Sequence, residues 1–290
     1  MAGSSGQRPG GAAGGPLGRP LLIESPAGPW DAVRERLADT GSVMVYGRLD
    51  DWLPGDPDDP RLRLLLGRDW ARAQRMAHRH IRSRFVAARL LLKHAAAQVL
   101  ETRAELLDLA YKPGGRPYLR GCDQIDVSLS HTEGLLVVGI TRRGRIGVDV
   151  ELADRSMAGT GTEDQACTPY ELAMLNAMAA SRRNGALVRL WTLKEAYSKA
   201  IGQGLRFQFT EFGFRLGDPR ARVLRPDGSP GTGDEWSFGT CAVDRRYTVS
   251  VALFDAGFGD TVDTAAGTML DPGLFEALTG SRGAARSAGV

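Results

Sequence analysis

Two similar α+β lobes are the fold class that this sequence predicts, and three observations lead there. A long Ala/Leu-rich helical stretch, running from Arg61 to roughly Leu100, is followed by short apolar strands. A second amphipathic helix, LVRLWTLKEAYSKAIGQGL (Leu187 to Leu205), is again followed by strand-like segments. The chain has 290 residues, 42% of them hydrophobic and 24% charged, which suffices to bury a core and suits two lobes better than one. No exact repeat is present; the likeness lies in the order of elements. We draw the boundaries as a Gly/Pro-rich disordered tail (1–28), an N-terminal lobe (29–145), a C-terminal lobe (146–255) and a flexible tail (256–290).

Composition narrows the classes of function. Lys+Arg 37 against Asp+Glu 34 leaves a formal net charge of +3, too little by itself to argue for nucleic acid. Cys122, Cys167 and Cys241 are widely spaced and fit reduced thiols in a cytoplasmic protein. The four histidines show no zinc-ligand spacing with them. The first 20 residues lack the apolar core of a signal peptide, and no segment approaches the roughly 18 apolar residues of a membrane span.

Taken in order, Ser42 to Gly47 (SVMVYG) reads as a first strand, closed by the loop DWLPGDPDDP. In the helical stretch Arg72, Arg75, Arg79 and Arg82 fall at steps of three, four and three, on one stripe. Singly, each reads as part of a solvated face; together they suggest an anion site. Arg84 and Arg89 follow in RFVAARLLLKHAAAQVL. A turn, YKPGGRPYL, sets Arg116 between Gly115 and Pro117 with an exposed guanidinium that could fork onto phosphate.

The central stretch is VSLSHTEGLLVVGITRRGRIGVDVE, Val127 to Glu151, three strands with two turns. Residues two apart on a strand share a face, so Asp149 and Glu151 project together while Ile146, Val148 and Val150 fill the apolar side. Paired carboxylates on one face suit a hard cation that takes oxygen ligands. A Ser130–His131 nucleophile pair reads poorly, because strand neighbours face opposite ways and adjacency does not supply the geometry of a triad. His131 reads instead as a donor to an anion. Residues 152 to 168 read as a surface loop, and Thr168-Pro169-Tyr170-Glu171 as a capped helix start. On the second helix Leu193, Ala196, Tyr197, Ala200 and Ile201 cover one face, with Trp191, Glu195 and Lys199 on the other and Lys194 beside them. Alone, Glu195–Lys199 is also a plain i,i+4 surface pair. FQFTEFGFRL and WSFGTCAVDRRYTVSVALF close the lobe as strands.

With these segments in place, GRPYL, SLSH, GVDVE and WTLKEAYSK, in this order and spacing, resemble the signature of surfactin-type 4′-phosphopantetheinyl transferases. The resemblance runs from about Arg72 to Leu253. It implies two pseudo-twofold lobes, each a small mostly antiparallel sheet packed with a long helix, with coenzyme A in the cleft between them. It implies a Mg²⁺-dependent transfer of 4′-phosphopantetheine from coenzyme A to a serine of an apo acyl, peptidyl or aryl carrier protein, serving polyketide, non-ribosomal peptide or fatty-acid synthesis. By match, Asp149, Glu151 and Glu195 would hold Mg²⁺. Arg84, Arg116, Ser130 and His131, and less securely Arg72 and Arg75, would contact the nucleotide phosphates. Lys194 and Lys199 would sit over the diphosphate, with Glu195 as base and Lys199 as the group offsetting leaving-group charge. A monomer with no nucleic-acid or membrane partner is implied. Two features depart from the family: Arg116 where many members carry Lys, and a Gly/Thr-rich 152–168 where relatives are more helical and dock the carrier. Two other readings stay open: a nucleic-acid binder using the arginine stripe, and another Mg²⁺-dependent phosphoryl or phosphodiester enzyme.

Overall fold

The computed structural model describes residues 17–53, 55–202, 208–217 and 221–255. The N-terminal half runs β1 (Leu21–Leu22), α1 (Asp31–Thr40), β2 (Ser42–Arg48), the short turns α2 (Leu49–Trp52) and α3 (Leu62–Leu66), α4 (Arg68–Gln74) and the long α5 (Arg79–Val99). A small hairpin, β3 (Leu109–Tyr111) and β4 (Pro117–Leu119), leads into β5 (Asp126–Thr132), β6 (Leu135–Thr141) and β7 (Gly144–Leu152). The C-terminal half adds α6 (Thr162–Ala166), α7 (Pro169–Asn176), α8 (Ala180–Ile201), the short pair β8 (Gly213–Phe214) and β9 (Val223–Leu224), and the hairpin β10 (Trp236–Val243) and β11 (Tyr247–Asp255). The class is mixed α+β, with small, mostly antiparallel sheets packed by helices.

Strand periodicity builds the layers. One sheet has the order β1-β2-β6-β5 and the other β10-β11-β7. In β6 every residue is buried, and alternate ones go to opposite sides. Leu136, Val138 and Ile140 join α1, α5 and β2 in one core, whereas Leu135 and Val137 face Ile146, Val148 and Val150 of β7 and Val249 and Val251 of β11. β7 and β11 turn their other faces toward α8, where Ala196, Ala200 and Leu193 pack with Ala252 and Phe238. The order is thus helix, sheet, apolar seam, sheet, helix. Gly147 permits the last contact: a Cβ there would stand 1.8 Å from the Ala196 carbonyl oxygen, so only glycine lets α8 lie this close to β7.

Several expectations are corrected. Residues 17–28 do not belong wholly to a tail: β1 pairs with β2 in parallel, and Leu17 and Ile23 are buried. The arginine stripe does not exist as one face. The helix stops at Gln74 and restarts at Arg79, so Arg72 and Arg75 are separated from Arg79 and Arg82. Arg79 and Arg82 pair instead with Asp56 and Asp58 from the acidic loop before them. Segment 152–168 is more than a surface loop: it contains α6, and Met157, Ala166 and Cys167 are buried. In FQFTEFGFRL only Gly213–Phe214 forms a strand, and Phe207 lies outside the described residues. Residues 1–16 and 256–290, expected as tails, also lie outside them. The capped start at Thr168 is present, with both hydrogen bonds of the capping box to Glu171.

Candidate active site

The cleft forms where β5, β7 and α8 meet. Asp149 and Glu151 stand on the face of β7 opposite its apolar side, as alternation requires. On α8, Trp191, Glu195 and Lys199 recur every four residues and line the same space. Ser130 and His131 on β5 complete a cavity of about 370 Å³, which Arg89 of α5 also borders. A second space of about 230 Å³ shares Gly115, Pro117, Leu129, Glu195 and Lys199 with it, so the two form one cleft. Six predicted residues therefore converge on the first cavity, Ser130, His131, Asp149, Glu151, Glu195 and Lys199, and Arg116 borders the second.

Their contacts set the charge balance. Lys199 Nζ lies 2.6 Å from Asp149 Oδ1 and donates to Ser130 Oγ at 3.0 Å and to the Val148 carbonyl at 3.2 Å. Glu151 is paired with Arg155, whose guanidinium also lies over the Trp191 ring at 5.6 Å. Burial first, then the negative charge of Asp149, pushes the Glu195 carboxyl above the ordinary glutamate range, against the opposing pull of Lys199. His131 keeps an exposed edge, yet its imidazole lies within the concave wall. Desolvation there, followed by the positive Arg84, Arg89 and Lys199, pushes it down to about 4. The cationic neighbours act in the same direction as burial, and the ring is neutral at pH 7.

Arg89 is the functional candidate that sequence reasoning passed over. It is nearly buried, donates to Tyr111 Oη at 2.9 Å and to Asp69 Oδ2 at 3.3 Å, and stacks on Phe85 at 4.2 Å. Its signal was available: a charge in the midst of FVAARLLL, an otherwise apolar run, demands a partner or a ligand. Arg72 joins the same aromatic patch, 5.3 Å from Phe85 and 4.9 Å from Tyr111, while Arg75 caps α4 and is exposed. Arg84 acts on the cleft through its charge on His131.

Two predicted cations turn inward. Arg116 was expected to be exposed, but its side chain is 8% accessible. One terminal nitrogen serves the carbonyls of Lys199 and Ala200 at the C-terminus of α8, and the other serves Asp126 and the Ile146 carbonyl. Every terminal N–H is thereby committed, leaving none to fork onto a phosphate. Lys194 is fully buried and bonded to Glu171 Oε2 at 2.5 Å and to the carbonyls of Ala166, Phe209 and Phe212 at 2.6, 2.6 and 2.7 Å. Four acceptors saturate an ammonium with three protons. Lys194 thus presents no free donor to the cleft, and Arg116, which borders the second space, keeps only its Nε–H without a partner.

Among the described residues, no three His, Cys, Asp or Glu side chains converge closely enough to hold a metal ion as they stand. The donor chemistry still fits a hard cation. Three carboxylates border one cleft, and the cost of a partly buried Glu195 beside Asp149 is one that a cation would offset. No helix of the described residues is long and apolar enough to cross a membrane.

Residues 145–252, which carry β7, α8 and β11, match the family described as the 4′-phosphopantetheinyl transferase superfamily. A 4′-phosphopantetheinyl transferase of Bacillus subtilis is 23% identical over 226 residues, covering 76% of this chain and 96% of the relative. The 4′-phosphopantetheinyl transferase HetI of Nostoc is 27% identical over 193 residues, 65% of this chain and 77% of the relative. The chain spans a smaller share, 58%, of a Synechocystis relative to which it is 27% identical over 144 residues. Residues 145–252 are thus similar to the 4′-phosphopantetheinyl transferase superfamily, and the named relatives are transferases.

Proposed function

We propose that this protein transfers the 4′-phosphopantetheine group of coenzyme A to a serine of an apo carrier protein. The observation that carries the reading is the convergence in one cleft of Asp149, Glu151, Glu195 and Lys199 with Ser130 and His131. They come from three of the four segments that resemble the surfactin-type enzymes.

The carrier's serine hydroxyl is a weak nucleophile and needs a base within hydrogen-bond reach. Glu195 suits that role, because a carboxylate raised by burial is a better proton acceptor near neutral pH than an ordinary one. The serine oxygen forms a bond to the phosphorus bearing pantetheine, its proton passes to Glu195, and the bond from that phosphorus to the bridging oxygen breaks. That oxygen leaves on 3′,5′-ADP. Lys199, at the floor of the cleft, offsets the charge that develops on the leaving phosphate. Neutral His131 donates a hydrogen bond to a phosphate oxygen, and Arg89 and Arg84 supply the positive potential around it. Asp149, Glu151 and Glu195 would hold Mg²⁺, which when bound neutralises diphosphate charge. Arg116 and Lys194 serve the reaction from behind, by fixing α8.

Incubation with coenzyme A, Mg²⁺ and a panel of apo carriers, followed by intact-mass measurement, tests the proposal. A phosphopantetheine increment on at least one carrier is expected. Consumption of coenzyme A without carrier loading would favour a hydrolase instead.

A further inference from the structure

Both carboxylates of β7 are held by hydroxyls of β5. Ser130 Oγ donates to Asp149 Oδ1 at 2.8 Å, and Thr132 Oγ1 donates to Glu151 Oε1 at 3.2 Å. The two pairs have the same chain offset, and they extend a series. β5 and β7 belong to different hydrogen-bonded sheets but lie side by side and parallel, and alternate β5 side chains do the work of a backbone ladder. Asp126 Oδ2 accepts from the Ile146 amide at 2.8 Å, and Ser128 Oγ accepts from the Val148 amide at 3.0 Å. Further along the strands, Ser130 and Thr132 reach carboxylates instead of amides. The alternation of DVSLSHT thus has two uses: it joins the sheets, and it orients the acids.

Each hydroxyl restrains one oxygen of its acid. Oε1 of Glu151 takes Thr132 Oγ1 and, at 2.9 Å, the Leu152 amide, while Oε2 faces Arg155. Arg155 is a half-exposed i,i+4 partner of Glu151, a kind of pair that contributes little and exchanges readily. The steady side-chain restraint on the Glu151 rotamer is therefore Thr132. We infer that Thr132 is a positioning residue whose hydroxyl fixes one oxygen of Glu151, so that the other is presented to the divalent cation of the cleft. This rests on the transferase reading and adds to it a residue outside the ligand set.

Groups that orient metal-ligating carboxylates typically change metal affinity or activity by about 10–100-fold when lost. Valine keeps the branched shape of threonine and lacks the donor; serine keeps the donor. We would titrate the full chain, Thr132→Val and Thr132→Ser with Mn²⁺, counting free ion by electron paramagnetic resonance, and follow carrier loading against Mg²⁺ concentration in parallel. Thr132→Val should weaken Mn²⁺ binding by about tenfold and recover turnover as Mg²⁺ is raised. Thr132→Ser should stay within about twofold of the parent on both measures. Parent-like Mn²⁺ affinity in Thr132→Val, or equal weakening in both variants, overturns the inference while leaving the transferase reading intact. A parent that neither binds Mn²⁺ nor loads any carrier overturns both.

Discussion

Replacing Lys194 by methionine is the perturbation that most sharply separates two roles for a basic residue of α8. The wild-type ammonium is fully buried against Glu171, with three carbonyls completing its shell. Glu171 is equally buried, and besides Lys194 it holds the amides of Thr168 and Phe214 at 2.9 and 2.8 Å. Burial pushes the lysine pKa down and the adjoining carboxylate opposes that shift, so the charge persists only because it is paired. Methionine fills much of the volume but strands a buried carboxylate and three carbonyls. Removing one partner of a buried pair costs about 3–5 kcal/mol. For a domain of this size that is roughly 6–20 °C in melting midpoint. Calorimetry of Lys194→Met, Glu171→Gln and the double variant should show the double well short of the summed losses, since the second change removes the stranded charge. Coenzyme A affinity, measured at a temperature where the variant is folded, should match the parent. A variant that melts like the parent and loses coenzyme A binding would refute the argument and return Lys194 to the cleft.

Three further outcomes follow from the same geometry. Gly147→Ala sets a Cβ against backbone at 1.8 Å from the Ala196 oxygen and 2.6 Å from the Ala200 nitrogen, which no side-chain rotation relieves. A loss of about 1–3 kcal/mol by thermal melting is expected, together with a fall in turnover of about 100-fold as Glu195 and Lys199 are displaced with α8. Because Asp149 is the second cause of the raised Glu195 pKa, Asp149→Asn should lower it, read by a carbon-13 titration of the metal-free protein; an unchanged value would show that burial alone is responsible. His131 has a folded value of about 4 against an ordinary value of about 6.5, so between those values the unfolded chain binds a proton that the folded chain does not. Stability should therefore fall as pH drops through that window, and more steeply in the parent than in His131→Gln; equal slopes in the melting midpoint would show that the ring titrates normally.

Strand periodicity made the centre of the fold readable. In β7 the sequence Ile-Gly-Val-Asp-Val-Glu separates an apolar face from an acidic one without reference to any neighbour, and both faces are where alternation puts them. Length and branching in β6 mark a strand covered on both sides. Helix continuity was less accessible. Arg72 to Arg82 satisfies helical spacing, but Arg75 to His78 break out of it, and spacing alone carries no information on where a helix stops without Gly or Pro. The buried Leu17 and Ile23 were hidden by the Gly/Pro-rich residues before them. Their pairing with β2 is a tertiary contact that local composition does not encode.

For the site, sequence identifies charge better than it identifies direction. Lys194 and Glu195 are neighbours on α8, and the 100° between them sends one into the C-terminal core and the other into the cleft. Lys199, four residues beyond Glu195, keeps the cleft face, whereas Lys194 meets an acid contributed by α7, more than 20 residues earlier. Arg116 sits in a turn that reads as exposed, yet the turn folds over the end of α8, whose unpaired carbonyls and negative dipole end attract a guanidinium. In both cases the partner that captures the cation is distant in the chain: Glu171 for Lys194, Asp126 and the end of α8 for Arg116. Lys199 and Arg89 also meet acids, Asp149 and Asp69, yet both side chains border the cleft. Which way a basic residue of this fold turns is thus set by where its acid partner stands, and that position is tertiary.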